Sequence, residues 1–131
     1  MPEMNLIAVV VAALSAFLLG GLWYGPLFGQ RWLAACGQME DVLNGRSMAQ
    51  VFGLAGALSL IAALNLAAFL GPDADLEFGV FAGFAAGAGW VGAFLGIIYL
   101  FEARPLSLWL INAGYSTAAL TIMGAILGGW R

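Results

Sequence analysis

NLIAVVVAALSAFLLGGLWYG, residues 5–25, is an uninterrupted apolar stretch with no ionisable carboxylate or basic group. It lies within a charge-free interval, Met4–Gln30, and three further intervals of this kind follow: Ser47–Pro72, Phe78–Phe101 and Pro105–Trp130. A helix needs about 20 apolar residues to cross roughly 30 Å of hydrocarbon. Each interval is therefore long enough for one crossing and too short for two.

Hydrocarbon offers no hydrogen-bond partner to a peptide group, so a crossing segment must be a helix or a strand of a closed barrel. Barrel strands alternate polar and apolar side chains. These intervals do not alternate, and four helices follow. Composition agrees: 63% of the chain is hydrophobic and 8% charged, against about 25% charged in a soluble domain. The fold class read from the sequence is all-α, an integral membrane four-helix bundle forming a single transmembrane domain over residues 1–131. Its spans are placed near 5–25, 47–71, 78–101 and 106–129.

The net charge is −3 and the chain has no lysine. Nucleic acid and anionic headgroups are therefore poor partner candidates, and the lipid bilayer itself is the expected surrounding. Leu33-Ala34-Ala35-Cys36 resembles a lipoprotein cleavage box, but Gly25, Pro26, Gly29, Gln30 and Arg31 separate it from the apolar run. With Glu3 as its only nearby charge, the first span also lacks a basic leader region, and it is expected to stay in place as a membrane helix.

Pro26 and Gly29 are expected to end the first span, placing Trp23 and Tyr24 in an interfacial aromatic belt. Trp32, Cys36, Met39 and Leu43 then recur at helical spacing, which predicts a short interfacial helix over Arg31–Leu43 between the first and second spans. Ser47 and Gln50 have capping-box spacing at the start of the second span, and Gly71-Pro72 closes it. Asp73, Asp75 and Glu77 suit the positive end of the third span, and Pro105 the first turn of the fourth. Arg31, Arg46 and Arg104 fall on one side and Arg131 on the other. The positive-inside rule then places both termini outside the cytoplasm.

Helices in lipid associate through small residues and polar contacts, because the tails are as apolar as leucine. Gly79, Gly83 and Gly87 form a glycine-zipper stripe. Ala85, Gly89, Gly92 and Gly96 form a second stripe at a different angle, which predicts a third span that touches neighbours on two sides. On the fourth span Thr117, Thr121, Gly124 and Gly128 share one face, while Asn112, Tyr115 and Ser116 lie nearly opposite. Two specialised faces on one helix predict self-association or another membrane protein as partner.

The available chemistry is narrow. Embedded ionisable residues mark proton and ion pathways, and the four intervals hold none. Small four-helix multidrug exporters require a glutamate in their first span, which is missing here. The chain has no histidine and a single cysteine, so no catalytic, cofactor-binding or metal-binding residues are expected. Neutral polar groups remain: Ser15, Ser59, Asn65, Asn112, Tyr115, Ser116, Thr117 and Thr121. They read as interhelical ties or as the lining of a narrow path.

Leu22-Trp23-Tyr24-Gly25-Pro26-Leu27-Phe28-Gly29 resembles the opening of the bacterial membrane family known as domain of unknown function 1761. Phe101-Glu102-Ala103-Arg104-Pro105, Ile111-Asn112-Ala113-Gly114-Tyr115 and Met123-Gly124-Ala125-Ile126-Leu127 are similar to its closing helix. The resemblance implies a small multispanning protein of the bacterial inner membrane and carries no catalytic residues. Trp23, Tyr24, Pro26, Glu102, Arg104, Asn112 and Tyr115 all fall toward the cytoplasmic half, as a candidate cluster joining the ends of the first, third and fourth spans. Two functions remain open, a non-catalytic homo-oligomer or accessory subunit of a larger membrane complex, and an oligomeric channel or transporter for a small solute or ion. A reporter active on one side of the membrane and fused after Arg131 should signal from outside the cytoplasm; cytoplasmic activity would refute the orientation.

Overall fold

The computed structural model describes residues 5–36, 48–71 and 73–130. Every regular element among them is helical. Helix α1 covers Leu6–Leu22 and is capped by Asn5, whose side-chain oxygen accepts from the Ala8 N–H at 3.1 Å. It does not end before Pro26 as expected. Proline lacks an N–H and crowds the preceding turn, and here the helix accommodates it by widening into a π-helical turn over Trp23–Leu27. The chain breaks only at Phe28, with φ −127° and ψ 9°. Gly29 follows where a Cβ would lie 2.7 Å from the Tyr24 carbonyl oxygen, so only glycine permits the sharp departure.

The short helix between the first two spans is present as α2, Gly29–Cys36, starting two residues earlier than predicted. It half-buries Trp32 and Ala35 and exposes Gln30, Arg31 and Ala34. The predicted continuation to Leu43, together with Arg46 and the Ser47 cap, lies outside the described residues. Helix α3 covers Met48–Leu70 and stops at Gly71, whose φ of 76° is the left-handed conformation of a helix C-terminus. Asp75 then caps α4, Leu76–Phe101, by accepting from the Phe78 N–H at 2.8 Å. Helix α5 covers Leu106–Gly129, with Pro105 extended at its N-cap rather than inside the first turn.

Four stretches, Leu6–Leu27, Ala49–Leu70, Leu76–Phe101 and Leu106–Gly129, are long and apolar enough to cross a membrane. The fold is an all-α bundle of four such helices, that of a membrane protein. Its surface is oily and its centre small: Phe101 and Leu100 are 90% and 82% exposed, whereas the core is chiefly Ala8, Ala12, Ala16, Ala63 and Ala119 around Val9 and Met123. Among the described residues no polar or charged residue is buried.

Helix α5 is the central post, touching α1, α2, α3 and α4, while α1 sits between α3 and α5. Along α4 the two backbones meet directly. A methyl group added at Gly79 would fall on the Gly124 carbonyl oxygen, one at Gly83 on that of Leu120, and one at Gly128 on that of Asp75. At Gly87 it would lie 2.5 Å from Thr117 Cα. The predicted small face of α5, Thr117, Thr121, Gly124 and Gly128, is thus filled by α4.

The second glycine stripe was expected to face elsewhere, but Gly92 and Gly96 also meet α5. A Cβ at Gly92 would contact the Ala113 methyl at 3.5 Å, and one at Gly96 would sit 3.0 Å from Trp109 Nε1. The cause is a π-helical stretch over Ala85–Gly92. Its i→i+5 bonding rotates the chain on the order of 20° less per residue than an α-helix. Over the length of the stretch the deficit brings the later glycines round to the face of the earlier ones. Gly89 alone of this stripe's glycines faces open space.

Gly83→Val should therefore destabilise the bundle by about 1–3 kcal/mol or more through backbone overpacking, whereas Gly89→Ala should stay within about 0.5 kcal/mol of the parent. Equilibrium unfolding in mixed micelles measures both. Equal effects at the two positions would contradict the α4–α5 contact.

Candidate functional site

At one end of the bundle α1, α4 and α5 are tied by side chains that are short of partners in lipid. The π-helical turn rotates less per residue than an α-helix, so the consecutive Trp23 and Tyr24 both reach α5. Trp23 Nε1 donates to the Ile111 carbonyl at 2.9 Å, and the Tyr24 hydroxyl donates to Asn112 Oδ1 at 2.6 Å. Asn112 Nδ2 in turn donates to the Tyr99 hydroxyl at 2.8 Å. One amide thereby joins α1, α5 and α4 through both of its functional ends.

One turn deeper, the Tyr115 hydroxyl donates to the Ala16 carbonyl at 2.8 Å. Its ring meets Tyr24 edge-on, with centroids 5.4 Å apart. Small residues make room: a Cβ on Gly20 would touch the Tyr115 hydroxyl at 3.4 Å, and one on Gly114 the Trp23 ring at 3.0 Å. The outer side of the knot is aromatic, with Trp32 against Tyr24 and Phe28 against Trp23 at centroid distances of 5.2 and 4.8 Å.

Of the seven residues singled out in the sequence, Trp23, Tyr24, Asn112 and Tyr115 are brought into this knot. Pro26 is not; it lies exposed within the π-helical turn and acts through the backbone. Glu102 and Arg104 pair with each other at 2.7 Å, partly exposed, in the α4–α5 turn. That turn is tight: Ala103 has a left-handed φ of 57°, and the Arg104 N–H closes it on the Tyr99 carbonyl at 2.9 Å. The glycines singled out for packing, Gly79, Gly83, Gly87, Gly92, Gly96, Gly124 and Gly128, all lie between α4 and α5.

Sequence reading passed over Tyr99 and Trp109. Trp109 Nε1 donates to the Gly92 carbonyl at 2.8 Å and fastens the end of the π-helical stretch to α5. A usable signal existed. The chain has three tyrosines, a buried phenol in lipid needs a partner, and all three take part here.

The knot offers neutral donors and acceptors. Ser116, Thr117 and Thr121 donate to the carbonyls of Asn112, Ala113 and Thr117 on their own helix, at 3.0, 2.8 and 2.7 Å. Among the described residues no group of His, Cys, Asp or Glu gathers in a way that could hold a metal ion. This end is therefore equipped to set the spacing of three helices.

Residues 7–128 match the family model described as protein of unknown function (DUF1761). The chain belongs to that family. The matched region takes in the whole knot and the whole α4–α5 glycine contact. No curated protein and no solved structure matches the chain.

Tyr24→Phe and Asn112→Leu, singly and together, should reveal a coupling of about 0.6 kcal/mol, with about 1.7 as the upper end for hydrogen bonds between membrane helices. Unfolding of the four variants in mixed micelles gives the cycle. Strict additivity would show that the bond carries no stability.

Proposed function

We propose that this protein is a non-catalytic assembly component of a bacterial inner membrane, working as a homo-oligomer that associates through the outer face of α3. The observation that carries the reading is Asn65. It is exposed on α3, roughly 8 Å in from the Leu70 end at 1.5 Å per residue. Its Nδ2 donates to the Ile61 carbonyl at 2.9 Å, and its Oδ1 has no partner among the described residues. Leu54, Leu58, Ile61 and Phe69 share its face, each more than half exposed.

An amide left facing acyl chains is costly, and a second copy supplies its complement, because an amide both donates and accepts. Support for association thus comes from α3. Both specialised faces of α5, from which it was first expected, are filled within the chain. The same face would take another membrane subunit if the protein serves a larger complex.

The permeation reading draws less support, since the Ser116, Thr117 and Thr121 hydroxyls are committed to carbonyls of their own helix, Tyr115 to α1 and Asn112 to two tyrosines. For orientation, Arg31 and Arg104 lie at the end opposite Asn5 and Trp130, and a cytoplasmic position for the arginine end accords with the positive-inside rule.

Native mass measurement from nanodiscs should find dimers or higher species, and Asn65→Leu should weaken association about fivefold, on the order of 1 kcal/mol for a reciprocal amide pair. A parent protein that stays monomeric at every protein-to-lipid ratio would sink the proposal. Stoichiometric recovery with a different membrane protein on this face would replace the homo-oligomer with an accessory subunit.

A further inference from the structure

A cleft of about 640 Å³ opens where α2 crosses the first turns of α5, within the range of about 300–1,000 Å³ usual for small-molecule sites. Its lining is mixed in chemistry. Arg31 and Ser107 stand among its lining residues as the polar groups, while Trp23, Phe28, Leu110 and Ile111 supply apolar surface. Trp23 and Ile111 are held by their mutual hydrogen bond, so this wall is fixed by the knot.

The two arginines among the described residues are used differently. Arg104 is neutralised by Glu102. Arg31 is exposed and has no ion-pair partner among the described residues, in a chain whose net charge is −3. The Ser107 hydroxyl likewise makes no hydrogen bond among them. An exposed cation without an ion-pair partner among the described residues, on the lining of an oily cleft just beyond the end of a membrane span, complements an anionic head joined to a hydrocarbon tail.

We propose that this cleft binds one anionic phospholipid, with its phosphate on Arg31 and Ser107 and an acyl chain laid against Trp23, Phe28, Leu110 and Ile111. A single cation suffices because the tail supplies binding through apolar burial and the head supplies selection through charge. The low basic content of the chain speaks against a broad anionic-lipid surface. It leaves room for one lipid site. The α5 N-terminus beside Ser107 has neither a side-chain cap nor an acidic first-turn residue, which adds a weakly positive field at the same place.

The test is native mass spectrometry of the full chain released from nanodiscs containing equal phosphatidylglycerol and phosphatidylcholine. One phosphatidylglycerol per chain should remain bound at energies that strip phosphatidylcholine. Arg31→Gln should lose that preference by about fivefold, the worth of one interfacial basic residue, while Arg31→Lys should keep most of it. Leu110→Trp, which narrows the apolar wall, should release the lipid with helical content unchanged.

Equal retention of the two lipids by the parent, or undiminished preference in Arg31→Gln, would overturn the proposal. Inorganic phosphate in millimolar excess should not displace the lipid. Displacement would show a site for the free anion and would also overturn it.

Discussion

Direct contact between two backbones holds this molecule together. In lipid the helices gain nothing from hiding apolar side chains from one another, because the tails would serve those side chains equally well. What remains is dispersion between closely fitted atoms and the occasional polar tie. Gly79, Gly83, Gly87, Gly124 and Gly128 let α4 and α5 approach until main-chain atoms touch. Attractions that are individually about 0.1–0.2 kcal/mol then sum over a long seam. Side chains at these positions would separate the helices and leave each against lipid.

That seam would be short in a straight helix, because the five-residue step from Gly87 to Gly92 would drift about 140° around an α-helix of 3.6 residues per turn. The π-helical stretch Ala85–Gly92 corrects the drift, so that Gly92 and Gly96 remain against α5. Trp109 then fastens the corrected segment by donating to Gly92. The same device recurs on α1, where the widened turn at Trp23–Leu27 absorbs Pro26 and points adjacent aromatics at α5. Both irregularities serve packing against the central helix, and they leave α5 committed on two sides. Helix α3, resting mainly on α1, keeps its outer face and Asn65 exposed to the surroundings.

The arginine end of the bundle gathers most of what is chemically distinctive. Asn112 bridges Tyr24 and Tyr99, Tyr115 reaches back to α1, and Trp23 shares its position between that knot and the cleft under α2. Rigidity and binding are linked there. The residues that set helix spacing also form the wall against which an acyl chain would lie, and Arg31 stands on the same lining.

Four spans and a short helix after the first were legible because hydrocarbon thickness and the cost of an unpaired peptide group act on any chain, whatever its neighbours. The interest of Trp23, Tyr24, Asn112 and Tyr115 was legible for a related reason, since a polar tip in lipid must find a partner. Which partner it finds depends on helix rotation, and rotation here is set by two π-helical stretches that no hydrophobic period announces. That Tyr99 pairs with Asn112, and that Gly92 and Gly96 join the face of the earlier glycines, follow from that rotation. The amino-acid order alone thus determined that this is a membrane bundle of four helices. Only the packed structure decided which faces meet, because a small change in turn width moves every later side chain around the axis.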